Sequence, residues 1–179
     1  MKKNNLAILM SVCNIILKSK SFTITSVNKK NDYSRSSVEF CFTNLENNNL
    51  IKRRGKKGRI VVYWKTRNFK IFHEHLTRIN RYRAVSDKYI RIVTLMGLCE
   101  SMKQQNIFTQ SDIIKNCEVI IYRSTVSHIV SVLEKGKIIE QIVTKKGEYK
   151  KGTKVFKKGF FFKEFFKSLK KIDSYGFVM

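Results

Sequence analysis

One pattern of residues occurs twice along this chain of 179 residues, and it constrains the fold more than any other feature. The first block recurs 86 positions later: Leu9-Met10, Cys13 and Phe22-Thr23 match Leu95-Met96, Cys99 and Phe108-Thr109. The second block recurs at an offset of 88: Ser34-Arg35-Ser36-Ser37-Val38 matches Tyr122-Arg123-Ser124-Thr125-Val126, and Leu45-Glu46 matches Leu133-Glu134. The offset changes in a turn region, where insertions are tolerated. Two copies of one unit are therefore predicted, at 1–66 and 87–158.

Each copy is predicted to contain three helices. Apolar residues recur at spacings of three and four in the first segment of each copy, which is the pattern of an amphipathic helix. These residues are Leu6, Leu9, Met10, Cys13, Ile16 and Leu17 in copy one, and Ile92, Leu95, Met96, Cys99 and Met102 in copy two. A short second helix is predicted over 23–30 and 109–116. The third helix has an inward face of Val38, Cys41, Phe42 and Leu45, or of Val126, Ile129, Val130 and Leu133.

Two β-rich stretches separated by a basic, glycine-containing loop follow each third helix, and this pattern indicates a hairpin. In copy one the stretches are 50–53 and 59–64, around the loop Gly55-Lys56-Lys57-Gly58. In copy two they are 138–144 and 153–156, around the loop 145–152. The turn that leads into the hairpin is Asn47-Asn48-Asn49 in copy one and Lys135-Gly136-Lys137 in copy two.

Three helices followed by a two-stranded ribbon resemble the winged helix-turn-helix superfamily. The motif is Ser-Arg-Ser-Ser-Val…Leu-Glu-Asn-Asn-Asn-Leu-Ile from Ser34, and Arg-Ser-Thr-Val…Leu-Glu-Lys-Gly-Lys-Ile-Ile from Arg123. Copy one departs from the superfamily pattern at 47–49, where asparagines replace the usual glycine turn. The resemblance implies an α+β, mainly helical fold: tandem winged-helix domains joined by a linker helix, with a C-terminal amphipathic helix. We expect domains at 1–66 and 87–158, the linker at 67–86, and the C-terminal helix and tail at 159–179.

The third helix of each copy is the predicted recognition helix. In helix-turn-helix proteins this helix enters the major groove with its N-terminal residues against base edges and phosphates. Arginine can bind a guanine edge or a phosphate, and hydroxyl groups can bind phosphates. The candidates are Arg35, Ser36, Ser37, Phe40, Thr43 and Asn44 in copy one, and Arg123, Ser124, Thr125, Ser127, His128 and Ser131 in copy two. At least one serine in each copy is expected to cap its helix, and Phe40 is equally suited to pack against a neighbouring helix.

Positive charge dominates the composition. The chain has 37 Lys and Arg against 13 Asp and Glu, a formal charge of +24, which favours a polyanionic partner. The charge is densest in the predicted wings: Arg53, Arg54, Lys56, Lys57 and Arg59 in the first, and Lys145, Lys146, Lys150 and Lys151 in the second. A charge run is usually only a solvated face, but equivalent runs in two copies favour contact with the backbone or minor groove of double-stranded DNA. The more basic first copy is expected to bind the polyanion more strongly.

Two further amphipathic helices are predicted outside the copies. Residues 67–83 place Phe69, Phe72, Leu76 and Ile79 on one face, and this linker would set the spacing of the recognition helices. Residues 160–172 place Phe161, Phe162, Phe165, Phe166 and Leu169 on one face. This face could pack onto the second module, form a homodimer or lie on an anionic membrane, and the first two are favoured because the face needs cover.

The sequence gives little support for catalysis or for a metal site. The acids are scattered singly, and no phosphate-binding glycine loop or catalytic triad motif is present, so we expect neither an enzyme nor a cofactor. In His73-Glu74-His75 the two histidines point apart on a helix, so no metal is expected. The four cysteines (Cys13, Cys41, Cys99 and Cys117) lack a CxxC spacing and are interpreted as buried thiols. No apolar run approaches bilayer-spanning length, so no membrane partner is expected.

The predicted function is sequence-specific binding of double-stranded DNA by a cytoplasmic, nucleoid-associated transcription regulator. A plasmid or phage replication initiator is the alternative within DNA binding, since such initiators often look like two linked winged helices, and the Lys, Asn and Ile richness suggests an A·T-rich genome. A protein-interaction scaffold is an alternative of another class, but it predicts weakly charged recognition helices and wings. A membrane-associated basic protein would leave the two basic wings unexplained.

Overall fold

The computed structural model describes residues 5–82, 90–118, 120–142, 148–149 and 152–176. The elements of the first half are α1 (Leu6–Leu17), α2 (Ile24–Asn28), α3 (Arg35–Asn47), β1 (Ile51–Lys57), β2 (Ile60–Lys65) and α4 (Arg67–Arg81). Those of the second half are α5 (Ile92–Lys103), β3 (Ile107–Thr109), α6 (Gln110–Asn116), α7 (Arg123–Lys135), β4 (Ile139–Ile142), β5 (Val155–Lys158) and α8 (Phe162–Asp173). The predicted α+β, mainly helical class is confirmed.

Both halves have the same order of helices and end in a hairpin followed by a helix, but the sheet has two strands in the first half and three in the second. In the second half β5 lies between β3 and β4, and all pairs are antiparallel. In the first half β2 pairs with β1 and makes a single bridge from Tyr63 to Phe22, the residue that matches Phe108 of β3. The aromatic pairs across this edge are equivalent in the two halves. The ring centroids of Phe22 and Tyr63 are 6.3 Å apart in a stacked arrangement, and so are those of Phe108 and Phe156. The repeat found in the sequence is thus a repeat of structure.

The turn between the third helix and the hairpin is the same in both halves. Asn49 (φ 54°) and Lys137 (φ 57°) take the left-handed conformation. The amide of the next residue donates to the carbonyl five positions back, Leu50 to Leu45 and Ile138 to Leu133, each at 2.9 Å. This is a Schellman motif, in which asparagine is a common substitute for glycine, so the asparagine run supports the same turn as copy two. Gly136, one position earlier than Lys137, is not left-handed.

The first hairpin differs from its predicted outline. Gly55, Lys56 and Lys57 were expected in the loop, but they belong to strand β1. The turn lies at Gly58 and Arg59, and Gly58 has a φ of 61°, which fits a two-residue hairpin loop with glycine first. A bulge between Arg53 and Gly55 leaves Arg54 as an extra residue in the strand, and Gly55 pairs with Val62 after it. The tip of the second hairpin, with Lys145, Lys146, Lys150 and Lys151, lies outside the described residues.

Helices α4 and α8 join the halves into one core. The predicted apolar faces are buried, with Phe69, Phe72, Leu76 and Ile79 on α4 and Phe162, Phe165, Phe166 and Leu169 on α8, while Phe161 is partly buried. Ile172, which was not in the predicted face of α8, is buried with them. Helix α4 packs against α1 and α8, and α8 packs against α4 and α5. The α8 face is therefore covered within the chain, and α4 is part of the core as well as a connection. No helix in the described ranges is long and apolar enough to cross a bilayer.

The two joining helices share a sequence pattern that extends the repeat. Phe-x-x-Phe-x-x-x-Leu-x-x-Ile runs from Phe69 to Ile79 in α4 and from Phe162 to Ile172 in α8, at an offset of 93. All eight of these side chains are buried. The lysines that precede the two helices, Lys65 and Lys158, are also 93 positions apart and make equivalent hydrogen bonds. Each donates to a carbonyl at the end of the first helix in its half, Lys65 to Leu17 at 2.7 Å and Lys158 to Lys103 at 3.2 Å. Each structural unit thus includes a fourth helix.

Candidate nucleic-acid interface

The exposed start of α3 is built from three serines. Ser34 is the N-cap residue, and its hydroxyl accepts from the amide of Ser37 at 3.3 Å. The same Oγ lies 3.1 Å from the hydroxyl of Ser36 and 2.9 Å from that of Ser37. The capping prediction is confirmed for the first copy. These hydroxyls surround the positive end of the helix, where an anion is stabilised by the helix dipole.

Arg35 on α3 is next to a carboxylate. Its Nε lies 2.8 Å from Oε1 of Glu39, one turn along the helix, and both side chains are exposed. Exposed pairs of this kind contribute little to stability, so the arginine can exchange this partner for a phosphate or a base. The negative charge of Glu39 nevertheless opposes the approach of a phosphate to this part of α3.

The remaining candidates on α3 divide by burial. Thr43 is exposed, and its hydroxyl donates to the carbonyl of Glu39 at 3.0 Å, while Asn44 is half-buried. Phe40 is half-buried and lines a groove of about 330 Å³ together with Asn5 and Ile8 at the start of α1. Ser34, Ser36 and Ser37 line the same groove, so Phe40 lies beside the serine-rich start of α3.

Helix α7 begins differently from α3. Its N-cap residue is Tyr122, which makes no side-chain hydrogen bond to the helix. The prediction that a serine caps this copy is therefore wrong, because Tyr122 occupies the position of Ser34 and Ser124 is already the second helical residue. Tyrosine cannot satisfy the first amides of a helix from this position, so those donors need another acceptor.

The candidates on α7 form an exposed face. Arg123, Ser124, Ser127 and His128 are exposed, and Thr125 and Ser131 are half-buried. Arg123 differs from Arg35 in its surroundings, because the residue one turn further on is Ser127 where the first copy has Glu39. Arg123 is thus next to a hydroxyl and not to a carboxylate.

A polar groove of about 500 Å³ brings three elements of the second half together. Its lining is Thr109, Gln110 and Ser111 at the start of α6, Arg123 and Ser127 on α7, and Gly152, Thr153 and Lys154 just before β5. None of these described lining residues is acidic. The contribution of α6 was not predicted from the sequence, although the repeated Phe-Thr dipeptide marks the start of this helix. There the Thr109 hydroxyl accepts from the amide of Asp112 at 3.2 Å.

The first hairpin presents a basic surface. Arg53, Arg54, Lys56 and Arg59 are exposed on it, and the side chain of Lys57 lies outside the described residues. Arg53 makes a two-point contact with Glu46 of α3, at 2.7 Å from Nε to Oε1 and 3.2 Å from Nη2 to Oε2. The hydrogen bond to Glu46 raises the pKa of Arg53 above its usual value. This contact joins the hairpin to the end of α3.

Trp64 on β2 is another candidate that was not predicted from the sequence. It is the only tryptophan of the chain, is 50% exposed and pairs across the hairpin with Lys52. A half-exposed aromatic side chain beside cations is suited to contact with nucleic acid.

Three of the four cysteines lie in the hydrophobic core, and His73 of α4 contacts α1. Cys13, Cys41 and Cys99 are buried free thiols, and burial raises the pKa of Cys41 to about 12, so the buried-thiol interpretation is confirmed for these three. Cys117 is half-buried. Nε2 of His73 lies 2.7 Å from Oδ1 of Asn14 on α1, within hydrogen-bond distance.

The part of the chain that the structure describes contains no group of three or more His, Cys, Asp or Glu that could hold a metal ion. The chain matches no known family model and no curated protein.

Proposed function

We propose that this protein is a sequence-specific binder of double-stranded DNA, a transcription regulator built from two winged-helix domains. One observation carries the proposal: the groove, with no acidic residue among its described lining, in which Arg123 and Ser127 of α7 meet the start of α6 and Lys154. The repeated order of elements, with a third helix followed by a basic hairpin, supports it. The proposed role is binding without catalysis.

In this proposal α7 lies in the major groove and the hairpins follow the DNA backbone. The uncapped amides at the start of α7 would bind a phosphate, and Arg123 would bind a guanine edge or a second phosphate. The exposed cations of the first hairpin would neutralise further phosphates. Binding should therefore weaken steeply with salt, while sequence preference comes from α3 and α7.

Selection from a random duplex library by the full chain tests the proposal. The selection is made at about physiological salt, where non-specific binding is weak. One enriched sequence is expected, and Arg123→Ala should lose the preference at one part of it. Arg81→Ala is the matched control, because Arg81 lies beside Tyr82, whose carbonyl is close to the C-terminal end of α7, about 20 Å from its start. The absence of any enriched sequence would overturn the proposal.

Glu39 gives a second test of the same surface. Glu39→Ser gives Arg35 the same neighbour, one turn further along the helix, that Arg123 has in Ser127. Two unit charges about 4 Å apart in water interact by about 1 kcal/mol, so loss of this carboxylate should tighten DNA binding about fivefold. Titration of labelled duplex at low and physiological salt measures the change. Unchanged affinity at both salt concentrations would show that this part of α3 does not contact DNA.

A further inference from the structure

The two halves contact each other through reciprocal aromatic pairs. The shared pattern of α4 and α8 makes Phe72 the counterpart of Phe165, and Tyr82 the counterpart of Tyr175. Phe72 packs edge-on against Tyr175 at 5.5 Å and 89°, and Phe165 packs edge-on against Tyr82 at 5.8 Å and 78°. Each Phe therefore contacts the Tyr of the opposite half. Reciprocity of this kind is the property of an interface across a two-fold axis.

A second pair of contacts has the same reciprocity. Gly136, the C-cap residue of α7, lies so close to α4 that a Cβ there would be 2.5 Å from the carbonyl oxygen of Tyr82. Its counterpart Asn48, the C-cap residue of α3, has its side-chain oxygen 2.6 Å from where a Cβ on Gly176 would lie, just beyond Tyr175. The end of each third helix thus meets the end of the opposite fourth helix.

The third contact joins the starts of the two halves. Asn5 and Arg91, the N-cap residues of α1 and α5, form an antiparallel bridge, and the amide of Leu6 donates to the carbonyl of Ile90 at 3.3 Å. These two residues are counterparts at the offset of 86. Antiparallel pairing of equivalent residues places a two-fold axis between them. A head-to-tail arrangement would instead bring different elements together.

We propose that one chain is an internal two-fold pseudodimer that binds a single DNA site made of two inverted, unequal half-sites. The inference rests on the proposed function, because it takes α3 and α7 as the recognition helices. A two-fold axis between them makes them run in opposite directions along the duplex, as in dimers that bind inverted repeats. The apolar face of α8 is covered by α4 of the same chain, so one chain supplies both halves.

The half-sites are unequal because the exposed faces of the two helices differ at matched positions. Counterparts on the two helices are Glu39 and Ser127, Phe40 and His128, and Thr43 and Ser131. The first residues are nearly alike, since Arg35 and Arg123 match. The two half-sites should therefore share the base pairs contacted by the start of each helix and differ beyond them.

The first arm of the test compares arrangements of the selected half-sites. Duplexes carry the two half-sites in inverted or direct orientation at the same set of spacings, and affinity is measured by fluorescence anisotropy and stoichiometry by native mass spectrometry. Inverted half-sites should bind at least tenfold more tightly than direct ones, with one chain for each duplex. Equal affinity for direct half-sites, or two chains on each duplex, would overturn the pseudodimer. Failure to bind any duplex specifically would instead overturn the proposed function together with the inference.

The second arm makes the two helices alike. A chain with Ser37→Thr, Glu39→Ser and Thr43→Ser carries the α7 residues at these positions of α3, and a second version adds Phe40→His. Selection with either variant should yield a more symmetric inverted repeat of the α7 half-site. The version that retains Phe40 guards against loss of folding, since Phe40 is half-buried. An enriched site that remains as unequal as that of the unaltered chain would refute the assignment of one half-site to each helix.

Discussion

Truncation of the aromatic side chains between α4 and α8 should destabilise the whole molecule. Phe165 and its counterpart Phe72 are both fully buried. Removal of a buried phenyl ring costs about 3–5 kcal/mol, as lost transfer free energy and the cavity left behind. Because the two rings make matched edge-on contacts with tyrosines, Phe165→Ala and Phe72→Ala should lower the free energy of unfolding by amounts within about 1 kcal/mol of each other. Phe160→Ala is the matched control, since Phe160 is 88% exposed and its loss should cost less than about 0.5 kcal/mol.

Urea unfolding with two probes measures this coupling. Far-UV circular dichroism follows helices in both halves, and the fluorescence of Trp64, the only tryptophan, follows the first hairpin alone. Phe165→Ala lies in the second half, yet it should shift the Trp64 transition as far as the dichroism transition. A Trp64 transition that stays at its original midpoint would show that the halves unfold independently. A Phe165→Ala cost no larger than that of Phe160→Ala would show that α8 is not packed on α4.

Two further perturbations test the close approach of the halves and the half-buried histidines of α4. Gly136→Ala would place a Cβ 2.5 Å from the Tyr82 carbonyl oxygen and should lower the free energy of unfolding by about 1–3 kcal/mol. Gly55→Ala is the control and should lower it far less, because no atom lies within 4 Å of a Cβ there. Equal thermal unfolding midpoints for the two variants would contradict the close contact. Burial lowers the pKa of His73 and of His75 below 6.5, so stability is complete above about pH 6.5 and is lost as pH falls through the lower folded pKa values. Unfolding measured between pH 8 and 5 should show this loss, a double His-to-Gln variant should reduce it, and an unchanged pH dependence in that variant would refute the assignment.

Periodicity predicted the long helices and most of their inward faces, but Leu17, which was placed in the apolar stripe of α1, is 37% exposed at the end of that helix. An apolar stripe at helical spacing specifies which side chains are buried, and those of α3 and α7 are buried as predicted. The apolar stripe of α8 also indicates that this face must be buried, but it does not show which element packs against it. The shared pattern beginning at Phe69 and Phe162 extends the repeat into α4 and α8, and it therefore indicates that the two helices are counterparts that can pack on each other. The longer second hairpin changes the offset to 93 and hides the match.

The details of the site were harder to predict, because they depend on which atoms meet. The pair of Arg35 and Glu39 follows from their spacing of one helical turn. In contrast, the start of α7 looks serine-rich, but Tyr122 takes the capping position. The first hairpin has two candidate glycines, and only the pairing of β1 with β2 shows that Gly58 makes the turn and Gly55 does not. The groove around Arg123 joins residues far apart in sequence.

The reciprocal contact of α4 with α8 also determines how the molecule responds to dilution. A symmetric pair made from separate chains loses translational and rotational freedom when it assembles, so its population depends on protein concentration. In this molecule the covalent connection gives each half a high effective concentration of the other, and the contact persists at any dilution. A substitution in such a chain also changes one half at a time, whereas a homodimer must accept every substitution twice. The two surfaces can therefore diverge while the contact that joins them is retained.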